Sequence, residues 1–260
     1  MFTFFRNRRR RKLLAEPFPP AWSAILARNV GHYARLSPAE QARLRDRTRI
    51  LIAEKGWEGV NGLVVTDEIK VTIAAQAALL LLGPDDHDYF SRVPSIVVWP
   101  DVLDIPDRDE FGEIDDTFPP HLLDGMADYR GPVVVSWQMA RAEGRDPTCG
   151  QNVVIHEFAH QLDFLDGSTD GTPPLRDAAQ AARWKTVMQA AFDDHRRSLD
   201  RHEETFFSEQ AAENETEFFA DATEAFYCAP AGLKGKYPGV YDLLAGYFQV
   251  DPIQWFPERT

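Results

Sequence analysis

Two cysteines in 260 residues, Cys149 and Cys228, are too few for a disulfide framework. Both read as free thiols, which fits a reducing compartment and a cytoplasmic setting. Long apolar runs are missing as well. The longest, 73–82, contains Gln76 and falls well short of the roughly 18 apolar residues that a membrane helix needs. The N-terminal cations are followed by no long apolar core with a small-residue cleavage site, so a secretory leader is not expected. Positive charge is scarce: 28 Lys and Arg stand against 41 Asp and Glu, a formal net charge of −13. Direct binding of nucleic acid by the body of the protein is thereby excluded, since phosphate recognition needs a basic face. Six of the 28 cations sit together, at Arg6, Arg8, Arg9, Arg10, Arg11 and Lys12, so the remaining 22 face all 41 acids.

What is present is an ordinary globular composition, 44% hydrophobic and 27% charged, enough to bury a sizeable core. Residues 1–20 read as a basic, proline-containing arm, solvated and frayed, with a tether to anionic lipid or an acidic partner as the sharper reading. Residues 21–260 read as a single domain. Ser37-Pro38-Ala39-Glu40 carries a helix start, with serine at the cap, proline in the first turn and glutamate three residues on. Thr66-Asp67-Glu68 starts a second helix, rich in alanine and leucine, that stops at Gly83-Pro84. The runs 95–99 and 132–137 are β-branched and aromatic and predict strands of a small antiparallel sheet. Between them, 101–116 carries eight acidic residues and reads as a long hairpin or an acidic loop, with a weaker strand near 111–118. Further helices are predicted over 151–164, 175–197, 213–228 and 238–248.

The chemistry concentrates in His156-Glu157-Phe158-Ala159-His160. Residues four apart share a helix face, so both imidazoles can reach one metal, and zinc takes such nitrogens readily. Glu157 can then act on an attacking water without ligating the metal. A catalytic zinc keeps three protein ligands and one open position, so a third ligand must come from elsewhere. Asp166, six residues after His160, is the weaker candidate. The stronger one is Glu217, which shares a helical face with Asp221 and Glu224 while Phe218, Ala222, Ala225 and Phe226 supply the apolar packing. Asp221 is placed to accept the free N–H of a ligating histidine. Asp163, on the face of the two histidines but short, is placed behind the metal or at the helix end.

The order Ile73-Ala74-Ala75-Gln76-Ala77, Gly131-Pro132-Val133-Val134-Val135-Ser136-Trp137, Asn152 through Asp163 around the two histidines, Asp166-Gly167 and Glu217-Phe218-Phe219-Ala220 resembles the Mlc titration factor A family. That family is in turn similar, around its zinc site, to the catalytic domain of anthrax lethal factor. The resemblance spans most of residues 20–255. It implies an α+β, mainly helical, zincin-like (gluzincin) fold and a zinc-dependent peptidase of aminopeptidase-like activity, with His156, His160 and Glu217 as ligands and Glu157 as base. It also implies binding to an Mlc-like transcriptional repressor. The family tends to carry a tyrosine seven residues before the third ligand, where it can donate to a developing oxyanion. Gln210 stands there in this chain, and its amide can donate a hydrogen bond but cannot deliver a proton as a phenol does. His195 and His202 are lesser candidates for that role. Two other functions stay open at this point: a regulatory binding protein that sequesters the repressor with weak or no peptidase activity, and a zinc hydrolase acting on a non-peptide bond.

Overall fold

The computed structural model describes residues 2–83, 87–100 and 131–256, with side chains from residue 4 onward and at all but His87. Helices dominate. The first three are α1 (Phe2–Ala15), α2 (Pro20–Asn29) and α3 (Pro38–Glu54). The Ser37 signal folds as a complete capping box: the Ser37 side chain accepts from Glu40 N, and Glu40 accepts from Ser37 N at 2.8 Å. Strand β1 (Gly56–Gly59) follows, then α4 (Asp67–Leu79), capped by Thr66. Next come β2 (Ser95–Trp99) and β3 (Val133–Ser136), which runs straight into α5 (Trp137–Arg145). The C-terminal part packs α6 (Val153–Asp163), α7 (Ala178–Asp200), α8 (Glu215–Cys228), α9 (Pro230–Lys236) and α10 (Pro238–Phe248).

The sheet corrects the sequence expectation. Its order is β1-β2-β3 and both pairings are parallel, with Trp57 opposite Ile96 and Ile96 opposite Val133. The antiparallel reading fails because the chain returns between β1 and β2 through α4, a crossover that lays successive strands side by side in one direction. Burial agrees: Ile96, Val97 and Val98 are all at most 1% exposed, so the central strand is covered on both faces, as parallel sheets are. A hairpin joining β2 to β3 is thereby excluded. The predicted strand near 111–118 and the acidic stretch 101–116 lie outside the described residues.

The N-terminal segment also differs from a frayed arm. Helix α1 lies on α3, with Arg10 donating to both Glu54 carboxylate oxygens at 2.7 and 2.6 Å and its guanidinium 4.1 Å from the Tyr89 ring centroid. Paired and stacked, Arg10 is 9% exposed despite its charge.

One buried polar chain fixes where α6 begins. Gln76, in the middle of α4 and fully buried, donates to Thr72 O and Ala140 O at 3.0 and 2.9 Å. Its carbonyl oxygen accepts from Asn152 Nδ2 at 2.7 Å, and Asn152 Oδ1 in turn caps α6 by accepting from Ile155 N at 3.0 Å. Gly144 lets α5 approach this group: a Cβ there would lie 2.7 Å from Gln76 Nε2. Gln76→Leu strands Ala140 O and the Asn152 amide in an apolar interior. We expect it to lower stability by about 2–3 kcal/mol, read as a fall in urea midpoint at unchanged m-value; an unchanged midpoint would remove Gln76 from this role.

Candidate metal centre

Helices α6 and α8 pack against each other and bring the two sequence signals together. Asn152 caps α6, placing His156 and His160 one turn apart on the face toward α8. Asn214 caps α8 by accepting from Glu217 N at 3.0 Å, which puts Glu217 in the first turn with its side chain toward the histidines.

The result is a convergence of lone pairs. His156 Nε2 lies 3.1 Å from Glu217 Oε2, and His160 Nε2 lies 3.5 Å from Glu217 Oε1. The imidazole centroids are 4.7 Å apart at 84°. One ligand atom from each of the three residues lies within 4.8 Å of the others. Two imidazole nitrogens and a carboxylate crowded in this way repel unless a proton or a cation sits among them. With a proton in that place, burial pulls His156 down, but the hydrogen bonds to Glu217 and Glu224 and the charges of Glu224 and Glu157 outweigh it and raise the imidazole to about 11. Burial pushes Glu217 up, while hydrogen bonds from His156 and His160 and their charges hold it well below the usual carboxylate range. A metal ion meets the same demand, and the donor set of two imidazoles and one carboxylate fits it.

Two carboxylates stand behind this set, and Glu224 is nearer the His156 ring than Asp221. His156 Nδ1 lies 2.6 Å from Glu224 Oε1 and 3.6 Å from Asp221 Oδ1. Glu224 is 8% exposed, and its other oxygen accepts from Asn152 N at 2.5 Å. Asp221 is occupied elsewhere, its Oδ2 accepting from Ser208 N at 3.1 Å and Ser208 Oγ at 2.6 Å. The signal for Glu224 was in the sequence, since it lies on the helical face of Glu217 and Asp221, seven residues after Glu217. His160 stacks on Phe164 at 6.1 Å, and its buried Nδ1 has no hydrogen-bond partner among the described residues.

Among the described residues Asp163 makes no hydrogen bond or ion pair to either histidine. Its carboxylate accepts from Gly171 N at 3.0 Å, Thr172 N at 2.8 Å and Thr216 Oγ1 at 3.1 Å, and burial raises it to about 6. It ties the loop after α6 to the start of α8. Asp166 accepts from Ser168 in the same loop and takes no part in the converging group. Gln210 Nε2 donates to Glu217 Oε2 at 3.2 Å, so the amide is beside the centre. His195 is buried, with Nε2 2.9 Å from Ser208 O, and His202 lies just past the end of α7 with φ 55°.

A cavity of about 480 Å³ opens beside His156. Glu143, Glu157, Asp221 and Glu224 give it an acidic side, and Phe206 and Phe207 an aromatic one. Burial raises the Glu143 carboxyl above its ordinary value, with the nearby Glu224 charge adding to this and a hydrogen bond from Val153 N opposing it.

Residues 4–249 match the family described as glucose-regulated metallo-peptidase M90. An uncharacterized protein of Synechocystis sp. is 30% identical over 250 residues, 94% of this chain and 89% of that one. The Mlc titration factor A of Serratia proteamaculans is 30% identical over 227 residues, 84% of this chain and 83% of its own length. That of Yersinia pestis is 29% identical over 234 residues, covering 87% and 84%. With nearly its whole length matched and the histidine pair on the helix that faces Glu217, this chain belongs to the M90 family of metallopeptidases.

Proposed function

We propose that the chain is a zinc-dependent peptidase of aminopeptidase-like action, working as one catalytic unit over residues 21–260 in a reducing cytoplasm. The observation that carries this is the meeting of His156 Nε2, His160 Nε2 and the Glu217 carboxylate from two separate helices. Four-coordinate zinc with bonds of about 2.0–2.1 Å sets its ligand atoms about 3.3 Å apart. The two imidazoles approach different oxygens of Glu217, at 3.1 and 3.5 Å, and one ligand atom from each residue lies within 4.8 Å of the others, close enough for one such ion to draw them together. Cys149 and Cys228 are free thiols, in keeping with the compartment.

His156, His160 and Glu217 would hold the zinc. When bound, it supplies a Lewis acid that polarises a carbonyl and makes water a better nucleophile. The chain's residues do the rest. Glu157, on the wall of the cavity, takes a proton from the attacking water and returns it to the leaving amine. Glu224 holds the His156 ring with the Nδ1 proton between them, leaving the Nε2 lone pair free to bind. Gln210 offers an amide N–H to the developing oxyanion once it turns from Glu217, and no proton. The acidic side of the cavity suits the protonated amino terminus of a peptide, which supports the aminopeptidase-like reading. The aromatic side suits an apolar first side chain.

The test is a paired one. Full-length protein with one equivalent of zinc is expected to hydrolyse aminoacyl substrates with a free amine and to spare their N-acetylated counterparts. Cleavage of neither, together with no cut across a broad peptide library, rejects the peptidase reading. Cleavage of both alike rejects only the aminopeptidase part.

The relatives' name favours a second reading, binding of an Mlc-like transcriptional repressor. It predicts a complex that persists in the metal-free protein. A complex lost with the metal would tie any such binding to the site itself.

A further inference from the structure

The peptidase reading leaves helix α1 unused, and this helix is built to display charge. One side is held firmly. Arg10 clasps Glu54, Arg6 Nη2 is 2.6 Å from Asp88 Oδ1, and the Arg49 guanidinium donates to Leu13 O and, at 2.6 Å, to Glu16 O, satisfying carbonyls at the helix end. The other side is bare. At about 100° per residue, Phe4, Arg8 and Arg11 (i, i+4, i+7) and Phe5, Arg8, Arg9 and Lys12 (i, i+3, i+4, i+7) form one continuous face. All six of these residues are exposed. Phe4 and Phe5 are 61% and 58% exposed and, with Val64, are the exposed large hydrophobics among the described residues. Arg8, Arg9, Arg11 and Lys12 make no ion pair among the described residues. Such a face stands on a chain whose net charge is −13.

From this we infer that α1 docks the protein on an anionic lipid bilayer, lying in the plane of the membrane interface. Charge complementarity supplies the attraction, since each cation near an anionic leaflet adds to binding and a cluster of four is of the size that holds a protein there. The two phenylalanines choose among polyanions. A duplex phosphate backbone or an unstructured acidic chain rewards mainly the cations, whereas a bilayer also accepts the rings at the headgroup boundary. Their place at the first turn, ahead of the cations, lets the tip of the helix enter while the arginines stay at the phosphates. Because Arg6 and Arg10 anchor the helix from its other side, docking requires no unfolding of α1 from α3.

Co-sedimentation of the full-length protein with vesicles tests this. We expect binding to phosphatidylcholine vesicles containing about one-third phosphatidylglycerol, none to pure phosphatidylcholine, and progressive release as salt rises. Replacing Arg8, Arg9, Arg11 and Lys12 together with glutamine should weaken binding by roughly 100- to 1,000-fold. Phe4→Ser with Phe5→Ser should weaken it at least about tenfold while leaving the melting temperature unchanged. Wild-type protein that stays in the supernatant with anionic vesicles at about 100 mM salt overturns the inference, and that measurement needs no variant to fold. So does a phenylalanine variant that binds as wild type does while polyglutamate or duplex DNA displaces both, because the face would then serve a soluble polyanion.

Discussion

Replacing Glu157 with alanine is expected to leave the chain binding one equivalent of zinc while lowering kcat on aminoacyl substrates by about 100- to 10,000-fold. The separation follows from where the residue sits. Glu157 is one position after His156 and three before His160, so its side chain leaves α6 about 100° round the helix from the first imidazole and about 60° from the second. It lines the cavity rather than the converging group, which consists of His156, His160 and Glu217. Metal affinity should therefore be indifferent to it, and proton transfer should depend on it. Glu157→Gln refines the measurement, because the amide keeps the shape and removes only the basicity; it should be as inactive as the alanine variant. Zinc content by atomic emission, set beside steady-state rates, decides the matter. Retained activity in both variants would show that another group moves the proton. Zinc lost from both would place Glu157 among the ligands.

Much of this centre was legible in the sequence because it rests on local rules. Two histidines four apart on an apolar helix must share a face, and the caps at Ser37 and Thr66 declare their helices within one turn. Glu217 was legible because a carboxylate on a face that packs against another helix needs a reason to be there. The choice between Asp221 and Glu224 was not local. Both lie on the right face of α8, one turn apart, and the decision falls to Ser208, which binds Asp221, and to Asn152 N, which binds Glu224. Neither contact has a sequence signature, since Asn152 is 72 residues away.

Strand direction fails for a related reason. Short β-branched runs mark strands, but direction depends on the connection, and the brief strand β1, Gly56-Trp57-Glu58-Gly59, carries almost no strand signal between its two glycines. Once β1 is missed, α4 no longer looks like a crossover. The continuous runs of Ile96-Val97-Val98 and Val133-Val134-Val135, rather than alternating ones, were the available hint of a sheet buried on both faces. The basic arm misleads in the same way. Its composition describes a solvated tail, and only Glu54, Asp88 and Tyr89, distant in sequence, turn it into a docked helix.

His156→Ala is expected to abolish stoichiometric zinc binding, and the graded series behind it is more informative. Glu224→Ala should weaken zinc binding by about 10- to 100-fold, because the carboxylate fixes the ring's orientation and its Nδ1 proton and so raises the basicity of Nε2. Glu224→Gln should fall between, since an amide oxygen still accepts from Nδ1 but carries no charge. Asp221→Ala should change zinc affinity little, its nearer oxygen lying 3.6 Å from Nδ1 and its other oxygen engaged by Ser208. Chelator competition measures all four without reference to turnover. Glu224 also accepts the backbone N–H that starts α6, so its loss can loosen the helix as well as the ring. Melting the metal-free variants separates the two effects. A drop in stability that Glu224→Gln shares with Glu224→Ala belongs to the helix start, and a zinc deficit beyond that drop belongs to the histidine. Should Asp221→Ala cost more zinc affinity than Glu224→Ala, the ring would be held by the carboxylate one turn closer to Glu217, and Asn152 would be the whole reason that Glu224 is buried.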